Sequence, residues 1–291
     1  MARFRRYSRP AFAFVLPLLL CGSLSAADVY EVHCRPHQVG DVTGQETALK
    51  LDLKIKVMQF GQLIDSTAQG VDRRQSHRTE VLATNAHGAS RVRVVYSKAQ
   101  QTIASEGQTV DTKQEPVTGK TYHVERVGEE LVVTDANGQQ PSDEEIKFIV
   151  GNFQFLGRPN PLWEFLDGRQ FTINERVVVP DHLAGQLLGM SGGVDKPEDL
   201  GMTLTEVREI QGRRCGIFKI DFTARSSEGN MMSMKIDGSM ALDLATGRAV
   251  EVGLSGPVAL NETRGPKEGR YDVNTTGKLE LAIRATGGQQ R

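Results

Sequence analysis

Metal or proton chemistry would fall first to the six histidines, His33, His37, His77, His87, His123 and His182. His33 and His37 have the i,i+4 spacing at which two imidazoles on a helix converge on zinc. Arg35-Pro36 lies between them, however, and proline breaks the helix that such a site requires. None of the six stands in an HExxH arrangement and no CxxC accompanies them, so no metal site is read. Acyl-transfer chemistry needs a serine on a sharp turn. Met190-Ser191-Gly192-Gly193 and Leu254-Ser255-Gly256-Pro257 lack the GxSxG elbow. A triad can also be assembled from distant positions and recognised by geometry alone. A hydrolase built this way would draw on Ser191, His182 and a nearby carboxylate. Asp52, Asp221, Asp237, Asp243 and Glu251 alternate with apolar neighbours, which marks them as solvated-face residues rather than an acid and base pair. Gly192-Gly193 and Gly287-Gly288 form no GxGxxG or Walker loop, and neither 65–70 nor 195–199 has the spacing of a calcium loop. Arg73-Arg74, with His77 and Arg78, is a small basic cluster suited to a solvated strand end. No catalytic residue and no cofactor is implied by these patterns.

The apolar residues are more informative. Met231, Met232, Met234 and Met240 gather on or beside one strand, and methionine adapts to irregular apolar partners. Met232, Met234, Ile236, Val252, Leu254, Val258, Leu279 and Leu281 share one parity on three consecutive strands and would line the hollow side of a curved sheet. Such a groove suits an acyl chain or another apolar molecule. The same stripe also fits an ordinary dry core.

The elements that would position this face are strands. Leu49, Leu51, Leu53, Ile55 and Val57 alternate with Lys50, Asp52, Lys54 and Lys56, the period of a half-buried antiparallel strand. Further strands are expected at 79–84, 90–98, 121–127 and 131–134, joined by turns at 85–88, 128–129 and 135–138. In the second half, 216–224, 232–244, 250–260 and 271–283 repeat the alternation. The last three, at 11 to 13 residues, would run about 37 to 44 Å. If Leu244 pairs with Val250, then Gly238 pairs with Gly256 and Gly277 falls near the same column. Glycines aligned across strands permit a sheet to fold around something. Thr79-Glu80-Val81 and its following strand also echo Thr205-Glu206-Val207 and its own.

Between the halves the pattern changes. Ser142 with Asp143, Glu144 and Glu145 predicts a capped helix start, and helical turns are expected at 161–166 and 181–190. Phe148, Phe153, Phe155, Trp163, Phe165 and Phe171 crowd this stretch. The expected organisation is a signal peptide at 1–26, an N-terminal β-rich half at 27–140, a helical and aromatic connector at 141–202, a C-terminal long-stranded antiparallel half at 203–286, and a flexible tail at 287–291. The fold class expected is mainly β: a long, curved antiparallel sheet or half-barrel, with two similar halves and a short helical connector.

The leader has Arg3, Arg5, Arg6 and Arg9 followed by an apolar run from Ala11 to Leu20, then small residues to Ala27. That is a secretory signal pattern, with cleavage after Ala26 or Ala27. Its loss leaves 31 of the 35 basic residues against 36 acidic ones, a mildly acidic body unsuited to binding nucleic acid. No later run is long enough for a transmembrane helix. The protein is therefore expected outside the cytoplasm, periplasmic or extracellular. Cys34 and Cys215 then remain, and they are either a disulfide or two lone thiols.

Leu18-Leu19-Leu20-Cys21 resembles the lipobox of bacterial lipoproteins but carries Leu20 where that motif has a small residue, so lipid anchoring at Cys21 is the lesser alternative. The lead peptide, the long alternating strands, the Ala-Leu-Asp-Leu-Ala-Thr-Gly-Arg hairpin at 241–248 and the closing strand resemble exported bacterial β-rich proteins and lipoproteins. More distantly they look like the half-barrel lipoprotein carriers of the periplasm, over 204–285 with weaker support from 46–134. That resemblance implies a curved sheet, a helical lid at 148–171 and acyl binding in the hollow. The function expected is a non-enzymatic envelope protein that binds a hydrophobic or acyl ligand. The alternatives are a structural or protein-interaction module of the envelope and, third, a hydrolase.

Overall fold

Alternation of apolar and polar residues turns most of this chain into strand. The computed structural model describes residues 28–187, 197–226, 231–266 and 269–287. The leader with Cys21, the 190–193 serine segment and residues 288–291 lie outside the described residues. In chain order the first half holds β1 (Val29–Glu31), β2 (Val42–Gln59), β3 (Gln62–Asn85), β4 (Gly88–Ser105), β5 (Gln108–Gln114), β6 (Thr121–Val127) and β7 (Glu130–Asp135). The connector holds α1 (Asp143–Asn152), α2 (Pro161–Leu166), β8 (Gln170–Thr172), β9 (Arg176–Val178) and α3 (Asp181–Leu187). The second half holds β10 (Glu198–Ile210), β11 (Arg213–Arg225), β12 (Met231–Asp243), β13 (Ala249–Arg264) and β14 (Tyr271–Thr286).

These strands form a 12-stranded antiparallel sheet in the order β7-β6-β4-β3-β2-β14-β13-β12-β11-β10-β9, with β5 branching from β4. The sheet is not closed into a barrel. The two halves meet at its centre, where β2 and β14 pair from Gly44↔Thr286 to Met58↔Asp272. The remaining pair, β1 and β8, is a separate two-stranded ribbon.

One face of the central strands is charged. Lys50 pairs with Asp52 at 2.8 Å, Arg74 with Asp72 at 2.9 Å and Lys278 with Glu280 at 2.6 Å, each within its own strand. Such exposed pairs add little stability and keep this face wet. The opposite face is apolar and is the inside of the bend. Gly238, Gly256 and Gly277 point to it, and a Cβ at any of them would collide with the backbone of the neighbouring strand.

The expected pairing of Gly238 with Gly256 does not form. Gly238 pairs with Leu254, Gly256 with Leu279 and Gly277 with Val258, so the glycines step diagonally, two residues per strand. The slip comes from the hairpin turn. The Asp243 carboxylate accepts hydrogen bonds from Ala245 N and Thr246 Oγ1, both at 2.9 Å, and pairing restarts at Leu242↔Ala249 through a bulge. An even slip keeps the side chains beyond the bulge on their expected face, but Val250, expected inward with Val252, turns outward to pack with Ala241 and Cys215 while Ala249 takes the inward place.

Two cores cover the ends of the concave face. At one end, Phe165, Leu166, Phe171 and Leu183 from the connector pack on Leu204, Phe218, Ile220, Ile236 and Met240. At the other, Ile149 of α1 packs among Val92, Val94, Tyr96, Tyr122 and Val124. A fully buried Leu or Phe contributes about 1.5–3 kcal/mol, so these patches hold the connector down. Helix α1 begins as expected, with a capping box in which Ser142 N donates to Glu145 Oε2 at 2.9 Å. Asn160 caps α2 through Leu162 N at 2.9 Å, with Pro161 at its first position.

Candidate binding face and cavity

Between the two cores the middle of the concave face is only half-buried. Of the residues expected to line the hollow, Ile236 is only 2% exposed and belongs to the first core. Met234, Val252, Leu254 and Leu279 are half-buried at the margin of that core, and Met232, Val258 and Leu281 are half-buried outside both cores. The structure thus brings all of them to one face and gives one of them a structural position.

The face extends further than those positions. Leu279 pairs with Leu51 and Leu281 with Leu49, while Gly277 pairs with Leu53 and Thr275 with Ile55. Across β2, Leu51 pairs with Val71 of β3. Leu49, Leu51, Leu53, Ile55 and Val57 are all half-buried, and none joins either core. Their alternation was visible in the sequence. Their adjacency to Leu279 and Leu281 depends on the β2–β14 pairing, which no local pattern encodes.

Along β2 the floor changes character from Leu49 to Thr47, Gln45 and Thr43. Gln45 and Thr43 pair with His77 and Thr79 of β3, and these four line a cavity of about 280 Å³. The linker between α1 and α2 roofs it with Phe153, Phe155, Leu156, Arg158 and Asn160, and Trp163 of α2 completes the wall. His77 is 7% exposed, its ring 5.3 Å from that of Tyr96 and 6.3 Å from that of Phe153. Its Nδ1 is buried without a hydrogen-bond partner. Burial lowers its pKa to about 4, so the ring is neutral at pH 7. His37 enters the same cavity beside Trp163, ring centroids 5.9 Å apart. Its Nδ1 sits 3.6 Å from Asp41, beyond hydrogen-bond reach, and burial with the nearby Arg248 guanidinium lowers its pKa to about 4. Arg248 itself holds Asp41 at 2.9 Å, tying the N-terminal segment to the β12–β13 turn.

The expected aromatic lid divides between these structures. Phe165 and Phe171 are buried in the first core, Phe148 and Phe153 pack against the second, and Phe155 and Trp163 line the cavity. The basic cluster separates across the sheet: Arg74 pairs with Asp72 on the charged face, while Arg73 lies on the concave parity and donates to Gln101 at 2.7 Å. Cys34 and Cys215 are free thiols packed in different clusters. Burial and the Asp167 carboxylate push Cys34 up to about 12, and burial raises Cys215, so neither is an activated nucleophile. Ser191 lies outside the described residues, and His182 is exposed on α3. Among the described residues no three His, Cys, Asp or Glu side chains are grouped to hold a metal, and no helix is long and apolar enough to cross a membrane.

No family model matches the sequence, and no curated protein matches it. Among solved structures the chain is similar to one described as lipid-protein interactions in lipovitellin, at 7% identity and a TM-score of 0.39 over 87% of this chain. The chain spans 26% of the length of that lipovitellin chain. It is also similar to MucB in complex with the periplasmic part of MucA, at 8% identity and a TM-score of 0.13, covering 80% of this chain and 88% of that one. At these scores neither likeness carries a function to this chain.

Proposed function

We propose that this chain is an exported envelope protein that holds a hydrophobic molecule, an acyl chain in the first instance, along the uncovered strip of its concave face, without catalysis. One observation carries the reading: the row from Leu49 to Val57, with Leu279, Leu281 and Val258 beside it, is aliphatic, inward-facing and half-covered, although the connector fills the face on both sides of it. A contiguous apolar surface left open between two packed cores is the pattern of a ligand or partner site. The strip runs along the strand for about 26 Å, long enough for an acyl chain to lie in it. The arginine-flanked leader supports export, and the resemblance to half-barrel carriers agrees with the same chemistry.

Native mass spectrometry of protein purified without detergent, with and without an added long-chain acyl probe, tests this reading. An added mass that leaves on denaturation and is lost in Leu53→Lys and Leu281→Lys supports it. Bare protein in both preparations overturns it. A second reading, a protein-interaction module, is favoured by the tip of the β2–β3 hairpin, where Phe60 is 86% exposed and Leu63 and Ile64 are each 56% exposed. Loss of a co-purifying protein on Phe60→Ser would support that reading instead.

A further inference from the structure

We propose that the His77 cavity is a second, polar subsite of the same trough, taking an uncharged hydrogen-bonding head, a hydroxyl or ester, on the acyl ligand, with His77 as its hydrogen-bond partner. The inference rests on the acyl-binding reading above. The β2 row passes without interruption from the aliphatic strip through Thr47 to Gln45 and Thr43 at the cavity floor, so a molecule lying along β2 meets apolar side chains first and polar ones at one end. The cavity, at about 280 Å³, lies at the small end of ligand-sized pockets and suits a head rather than a whole lipid. Phe153 and Trp163 give it apolar walls on two sides, and the remaining side is open to solvent.

His77 gives the cavity its chemistry. Leaving a buried polar atom without a partner is unfavourable, and the Nδ1 of His77 is such an atom. A ligand oxygen that seats against Nδ1, on a small shift of the ring, supplies the missing bond: a hydroxyl donates to the bare nitrogen, and a hydroxyl or ester accepts from the protonated one. An anion is disfavoured. Arg158 is the only formally charged side chain in the lining, and it is held in an ion pair with Glu129. Both cavity histidines that burial affects are neutral at pH 7. A carboxylate or phosphate head would have to draw Arg158 away from Glu129 and give up part of its hydration, whereas a neutral head needs only the His77 bond.

Trp163 is the only tryptophan in the chain and lines the cavity, so its emission reports occupancy directly. The experiment titrates the chain at pH 8 with 1-monooleoylglycerol and with oleate, which share a tail and differ in head. The expected result is a shift in Trp163 emission with monooleoylglycerol, with binding at least about tenfold tighter than for oleate. In His77→Phe the preference falls to near unity, while Leu53→Lys weakens both ligands. Thr79→Val, on the cavity floor, reads the same selectivity should His77→Phe not fold. Equal or tighter oleate binding, or an unchanged preference in a folded His77→Phe, overturns the subsite and leaves acyl binding standing. If neither ligand binds at all, the acyl-binding reading falls and the subsite with it.

Discussion

An added Cβ at Gly256 on β13 would fall on the carbonyl oxygen of Lys235 on β12. Gly238 stands in the same relation to Gly253, and Gly277 to Asp52, so a diagonal of glycines on three strands crowds the concave face at two strand pairs, β12–β13 and β14–β2. Backbone approaches of this kind are open only to glycine, and they are where the sheet curls.

Gly256→Ala and Gly277→Ala are therefore expected to cost about 2–3 kcal/mol or more, because the atom met is backbone and cannot swing away. Gly253→Ala, where an added Cβ meets nothing within 4 Å, is expected to be neutral or to stabilise by about 0.5 kcal/mol. Urea titrations of the three variants measure the contrast, and equal costs would remove the diagonal as the cause of curvature.

The buried imidazoles make stability depend on mild acid. His77 has its pKa lowered from 6.5 to about 4 by burial, so below pH 6.5 the unfolded chain takes up a proton that the folded chain refuses. Stability from this group is complete above pH 6.5, declines as pH falls toward 4 and is gone below it; by pH 5 the loss is about 2 kcal/mol. His37 acts in the same direction. His77→Phe is expected to flatten the stability curve between pH 7 and 5, measured by urea midpoints at each pH.

Glu145 acts over a lower window. Its carboxylate accepts from Lys120 Nζ at 2.8 Å and from the Tyr122 hydroxyl at 2.5 Å as well as closing the α1 capping box, and together these hold its pKa at about 2 instead of 4.5. The stability it adds is present above pH 4.5 and is lost as pH falls toward 2. Glu145→Gln is expected to lose about 1–3 kcal/mol at pH 7 and to show a shallower acid limb, with α1 releasing from the sheet first in hydrogen exchange.

The β2–β3 turn carries Phe60 at φ +49°, followed by Gly61 at φ +78°. Both central positions of such a hairpin turn prefer Asn or Gly, and an aromatic residue there is strained. Phe60→Asn is expected to raise stability by about 0.5–1 kcal/mol, read as an upward shift in Tm. A fall in Tm would show that Phe60 packs against something in solution.

Local patterns in the sequence determined the strand parity of 49–57 and of the last three strands, the Ser142–Glu145 helix start and the turn at Pro161, because each depends on neighbours within a few residues. The stretch from Gln62 to His77 escaped them. Its inward positions are Thr67, Gln69, Val71, Arg73, Gln75 and His77, a row with a single aliphatic residue, so no apolar period announces a strand, and backbone pairing to β2 and β4 holds it extended. The tertiary structure alone decided that β2 lies beside β14, which joins Leu51 to Leu279 and makes one strip of two separate rows. It alone decided that Ile236 is filled core while Leu281 stays half-buried outside both cores, and that His77 is buried beside the α1–α2 linker. The physical reason is the same in each case: side-chain parity is a property of one strand, whereas burial is set by whichever distant segment lies above it.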